Sequence, residues 1–126
     1  MNKTKNKLRV FVDTSVFGGC FDDEFNEKSK KFFDQVKNGS FKVVISETII
    51  KELEKSPKEV KELFATIPQS SLEIIDIDVK IEELRDAYIA NKIVGEKSLG
   101  DAEHIAVATI SAVDLIVSWN FKHYVR

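Results

Sequence analysis

Three carboxylates far apart in the chain, Asp13, Glu52 and Asp101, could do chemistry together. Asp13 ends the apolar run "LRVFV" and is followed by Thr14 and Ser15. A buried-looking strand that stops on an acid has two readings. The acid is a helix N-cap, a role Asp fills well, or it is a charge held at a strand end to meet a cation. Glu52 lies in "ETIIKELEK", three residues after Ile49 and beside Leu53, so it borders the apolar stripe of its helix. Glu47 opens the same helix, where an acid suits the dipole without further purpose, and Glu54 points away from the stripe. Glu52 is therefore favoured as the functional acid. Asp101 follows Gly100 and opens "DAEHIAVATISA", where capping is again the competing role. Brought together, three acids repel one another unless a cation neutralises them. Hard oxygen donors without a Cys/His cluster suit Mg²⁺ or Mn²⁺ rather than structural zinc. Such an ion keeps positions open for phosphate oxygens, which points to phosphodiester hydrolysis.

The acids can meet only if the elements between them fold back repeatedly. Strands are predicted over "LRVFV" (8–12), "FKVVIS" (41–46), "SLEIIDI" (71–77) and "DLIVSW" (114–119). Helices are predicted over "NEKSKKFFDQVKNG" (26–39), "ETIIKELEK" (47–55, with Ser46 as its cap), "PKEVKELFATI" (57–67), "VKIEELRDAYIANKI" (79–93) and "DAEHIAVATISA" (101–112). On the 79–93 helix, Ile81, Leu84, Ala87 and Tyr88 share one side. The last helix is almost wholly apolar, so it is expected to be central and buried. Strands alternating with helices, and apolar on both faces, give an α/β fold with a mostly parallel sheet of four or five strands flanked by helices. In such sheets ligands bind beyond the carboxyl ends of the strands. Asp13 falls there, and the fourth strand runs into Ser118, Trp119 and Asn120 at the same edge.

The 126 residues fit one domain with a sizeable core, and no repeat or linker divides them. Hydrophobic residues at 43% and charged residues at 32% exclude a disordered chain. A net charge of −2 argues against broad, non-specific nucleic-acid binding. It leaves room for local basic patches, with Lys3, Lys5, Lys7 and Arg9 at one end and Lys122, His123 and Arg126 at the other. Solvated surface is the competing reading of both. No apolar run approaches the ~18 residues of a membrane helix, and "MNKTKNK" does not open a signal peptide. A cytoplasmic protein is expected. The single Cys20 allows no internal disulfide and reads as a buried filler. His104, three residues after Asp101, reads first as a hydrogen-bonded core histidine. Trp119 reads as a base-stacking or a packing residue.

The segments "VFVDTSVF", "ISETIIKELE", "LGDAEHIAVATI" and "LIVSWNFKHY", in this order over nearly the whole chain, resemble the PIN-domain family. The resemblance implies a PIN-like three-layer α/β fold and a metal-dependent ribonuclease. The chain looks like a small prokaryotic member, similar to VapC-type toxins of toxin–antitoxin pairs. It implies Asp13, Glu52 and Asp101 as the Mg²⁺ or Mn²⁺ acids, with Ser15 as a supporting hydroxyl. Asn120 stands where many relatives carry a fourth acid, with Ser118 two residues before it. An amide adds no negative charge, so a second metal would bind less well, and a one-metal site or weaker activity is the expectation. Ser15, Ser118 and Lys122 are the residues expected to face RNA. An antitoxin protein and a second copy of the chain are the partners implied. Relatives often continue past "SWNFKHY" into a short strand or tail, which leaves a compact and a shortened member both open. Two other readings stand beside this one. The first is a PIN-like module that holds RNA or protein with little or no cleavage. The second is a phosphatase or DNA nuclease built on the same acids.

Overall fold

The run "LRVFV" forms strand β1, Leu8–Val12, in the interior of a parallel sheet. Val10, Phe11 and Val12 are buried, as an inner strand covered on both faces requires. The computed structural model describes residues 7–91 and 99–119. Among these, β2 (Phe41–Ser46) and β4 (Leu115–Val117) flank β1, and β3 (Leu72–Ile75) lies beyond β2. All three pairings are parallel, in the order β3-β2-β1-β4.

The connections are helical. Between β1 and β2 run α1 (Thr14–Gly19) and α2 (Asn26–Lys37); between β2 and β3 run α3 (Glu47–Glu54), α4 (Lys58–Ala65) and a 3-10 turn at Gln69–Ser71. Between β3 and β4 run α5 (Val79–Ala90) and α6 (Leu99–Ile110). Crossovers of the usual right hand put the first four helices on one face and the last two on the other. The aromatic contacts agree with this layering. Phe17 of α1 lies 5.0 Å from Phe33 of α2 and 6.0 Å from Phe64 of α4, whereas His104 of α6 meets Phe11 of β1 at 5.4 Å. The chain leaves β1 in one direction across the sheet and returns to its other side through β4. The carboxyl end of β1 is therefore the switch point where open α/β sheets place their sites.

Most expected elements are present, with shorter ends. The buried hydroxyl of Ser46 caps α3 by accepting from the Ile49 N–H at 3.2 Å. Three differences have physical causes. Helix α1 was not expected, since a six-residue segment ending in Gly18-Gly19 has little helical preference of its own; burial of Val16 and Phe17 holds it. Strand β4 is not sealed on both faces: Leu115 and Ile116 are 49% and 43% exposed, because among the described residues β4 pairs with β1 alone. On α5, Ile81 is buried but Ala87 is exposed. No helix of the described residues is long and apolar enough to cross a membrane.

Candidate active site

Register decides what stands beside Asp13. Val12 pairs with Val117, so the next residues, Asp13 and Ser118, emerge side by side at the sheet edge. The Asp13 N–H extends the ladder to the Val117 carbonyl at 3.1 Å. Asp13 takes the N-cap position of α1, yet its side chain makes no capping bond. Instead its Oδ2 accepts from Ser15 Oγ at 2.9 Å and Ser118 Oγ at 2.8 Å. Its Oδ1 lies 3.4 Å from His104 Nε2. Only 5% of Asp13 is exposed. Burial alone would raise its pKa, but the bond and charge of His104 and the two hydroxyls prevail, and it falls to about 2. The carboxylate is ionised at any ordinary pH.

His104 faces Asp13 across this centre. Burial works to lower its pKa, but the Asp13 bond and the charges of Asp13, Glu52 and Glu103 outweigh it and raise the value. Among the described residues its buried Nδ1 has no hydrogen-bond partner. Glu103 in turn meets Arg85 of α5 at 3.4 Å. Glu52 is exposed on α3 and accepts from the Thr14 hydroxyl, which ties it to the residue next to Asp13. Glu47 is engaged elsewhere, accepting from the Ile77 N–H at 2.6 Å and latching the exit of β3 to α3. Asp101 is half-buried in the first turn of α6, which begins at Leu99, so it is not the cap. It lies one turn before His104, on the same side of the helix.

The remaining expectations divide. Ser15 and Ser118, expected to face RNA, spend their protons on Asp13. Asn120 and Lys122 lie outside the described residues, as do Lys3, Lys5, His123 and Arg126. Arg9 and Lys7 sit at the opposite, amino edge of the sheet and are not a rim for substrate. The Arg9 guanidinium is bound to Glu73 and the end of α6, and Lys7 Nζ donates to Ser71 at 3.0 Å. Asp114 accepts from the Arg9 N–H at 2.8 Å. Cys20 is buried, and burial raises its pKa. Trp119 packs: its ring stacks on Phe25 at 5.2 Å and 5°. Sequence reasoning undervalued His104 and passed over Thr14. A hydroxyl adjoining Asp13 was the one available signal for Thr14; nothing local marks His104 as facing an acid 91 residues away.

No three His, Cys, Asp or Glu side chains among the described residues converge closely enough to form a complete metal cage. The donor chemistry still suits a hard divalent ion. Mg²⁺ is commonly held by one or two carboxylates and waters rather than by an all-protein cage. Beside the buried, ionised Asp13, His104 Nδ1 is a buried polar atom without a hydrogen-bond partner among the described residues.

A search among curated proteins finds no match. Among solved structures, the fold is similar to that of Mycobacterium tuberculosis VapC20, described as a sarcin-ricin loop cleaving toxin. That match has TM-score 0.70 and 16% identity, and covers 90% of this chain and 92% of the other. It is also similar to a toxin–antitoxin complex from Klebsiella pneumoniae, with TM-score 0.64, 22% identity and coverage of 91% and 89%. A third similarity is to VapBC2 from Rickettsia felis bound to a DNA fragment from its promoter, with TM-score 0.54, 23% identity and coverage of 91% and 92%. The family profile described as PIN domain matches residues 9–122. That span runs from β1 past β4 and takes in every acid of the site, and on it the chain belongs to the PIN-domain family.

Proposed function

We propose that this chain is a divalent-metal-dependent endoribonuclease acting as the toxin of a toxin–antitoxin pair. The observation that carries the reading is Asp13: a carboxylate buried at the switch point of the sheet and held ionised by two hydroxyls and an imidazole. Asp13, Glu52 and Asp101 are the residues that would hold Mg²⁺ or Mn²⁺. When bound, the ion would lower the pKa of water and offset charge on phosphate oxygens. The chain's own part is positional. Ser15 and Ser118 fix the Asp13 carboxylate, Thr14 keeps Glu52 against the start of α1, and α6 brings Asp101 and His104 to the same edge. Asn120 is proposed as the fourth position of the catalytic site, and Lys122 as a residue lining the path of the RNA. The fold likeness to VapC20 and to two toxin–antitoxin assemblies supports an antitoxin protein as the partner; a homodimer is proposed from the family resemblance alone.

One observation favours a second reading, a PIN-like module that binds RNA or protein without cutting: the described residues hold no converged cluster of three ligands. A single experiment separates the two. Single-stranded RNA, single-stranded DNA and a small phosphate ester are incubated with the protein, with Mn²⁺ or with a chelator. The nuclease reading expects RNA cleavage that needs the metal. It also expects Asp13→Asn to cut at least about 10²-fold more slowly, the loss of a few kcal/mol at the metal, while keeping a cooperative melt. Undiminished cleavage by Asp13→Asn, or RNA as the one substrate left intact, would overturn it. RNA affinity without cleavage or metal uptake would favour the binding module.

A further inference from the structure

The single tryptophan occupies a socket made by residues that the site description leaves unused. Its indole Nε1–H donates to Ser29 Oγ at 2.8 Å, and Ser29, on α2, is fully buried. A buried indole N–H needs such an acceptor. One ring face lies parallel to Phe25. Phe25 holds the N-cap position of α2, where Ser, Thr, Asp or Asn would serve the helix better, and it makes no capping bond. Local helix chemistry is given up there for an aromatic ring, a conflict expected at functional positions. Gly19 completes the socket. A Cβ at that position would press on Ser29 Oγ and come within 2.6 Å of the indole nitrogen.

The socket connects directly to Asp13. The Trp119 backbone N–H donates to Ser15 Oγ at 3.0 Å. A hydroxyl carries one proton, so a Ser15 oxygen that accepts from Trp119 points its own proton at Asp13 Oδ2. Ser118, the residue before Trp119, supplies the second proton to the same oxygen. We infer that Gly19, Phe25 and Ser29 act through Trp119 as positioning residues for the metal-binding acid: by seating the indole they fix the Ser118–Trp119 turn and lock Asp13 by its Oδ2. The locked carboxylate cannot rotate, and Oδ1 keeps its aim toward His104. This inference rests on the metal-nuclease reading.

The test is Mn²⁺ binding measured by calorimetry, without RNA, on the intact chain and on Ser29→Ala, Trp119→Phe and the double variant. Trp119→Phe keeps a flat ring against Phe25 and loses only the N–H and the wider indole. Each single variant is expected to weaken Mn²⁺ binding about tenfold, the lower end for residues that orient a ligand. In cleavage assays kcat should fall while KM for RNA holds. The double variant should lose no more than either single one, because both break one connection. Thermal melts confirm that each sample is folded; if Ser29→Ala does not fold, Phe25→Leu replaces it with the same expectation. Folded variants that bind Mn²⁺ as tightly as the parent would overturn the inference alone. Additive losses would overturn the shared connection, and with it the inference. A parent that shows no saturable Mn²⁺ binding would overturn the nuclease reading, and this inference with it.

Discussion

At the amino end of β1, the Arg9 guanidinium donates to both Glu73 oxygens, at 3.0 and 2.9 Å, and to the Ser111 and Ala112 carbonyls, at 2.6 and 3.3 Å. At the carboxyl end, the Asp13 carboxylate takes two hydroxyl protons on one oxygen and faces an imidazole whose other nitrogen has no partner among the described residues. The first network is closed within the protein. Each guanidinium nitrogen is engaged, and it straps β1 to β3 and to the end of α6. The second leaves a buried imidazole nitrogen open among the described residues. A single five-residue strand thus carries a clasp at one end and a chemical centre at the other. The difference shows that a charged residue in a sheet is read by whether its partners finish its valence for hydrogen bonds, not by burial alone.

Exchanging the effects of the two ends is the sharpest way to break this contrast. Asp13→Asn should remove nearly all cleavage while costing no more than about 2 kcal/mol of stability. Arg9→Ala should cost about 2–3 kcal/mol of stability while leaving kcat of the folded fraction unchanged. Arg9→Lys should recover little of that loss, because an ammonium cannot make the paired bonds to Glu73. A chemical denaturation series with parallel cleavage assays reads both. A fall in kcat on Arg9→Ala would erase the distinction between clasp and centre.

Acid titration of the metal-free protein sharpens it next. The Asp13 pKa is lowered on folding, to about 2, so its contribution is present above the unfolded value near 4 and is lost as pH falls through about 2. The loss should approach about 2 kcal/mol. The His104 value is raised on folding, so its contribution is complete below about 6.5 and disappears as pH rises through the raised value. Asp13→Asn should flatten both limbs in urea midpoints taken across pH, whereas Arg9→Ala should leave their shape. The smallest effect belongs to Ala112, whose φ of 54° is left-handed although it is not glycine. Ala112→Gly should add about 0.5–1 kcal/mol to the melt by relieving that backbone. It should leave cleavage untouched.

Among the described residues, four strands and five of six helices were legible because each has a local pattern: apolar runs of strand length, helical stripes, and the Ser46 cap. Helix α1 was not, since its own residues favour no helix and only the packing of Phe17 on Phe33 and Phe64 forms it. In the site, Asp13 and Glu52 were legible as acids where apolar runs end or a helix stripe borders. Asp101 was legible as an acid opening an apolar helix, and its competing role as a cap is not taken up, since α6 begins at Leu99. Ser15 and Ser118 were noticed, but their bonds to Asp13 were legible only in part, as the supporting role given to Ser15.

By itself the sequence determined the alternation of strands and helices and the placing of acids at strand ends, because both are written within a few neighbouring residues. Only the tertiary structure decided that Ser118 reaches across 105 positions to Asp13, that His104 turns to the same acid, and that Arg9 belongs to the opposite edge. Those pairings follow from strand register and helix docking, which are set by the whole core and leave no mark on any short stretch of chain.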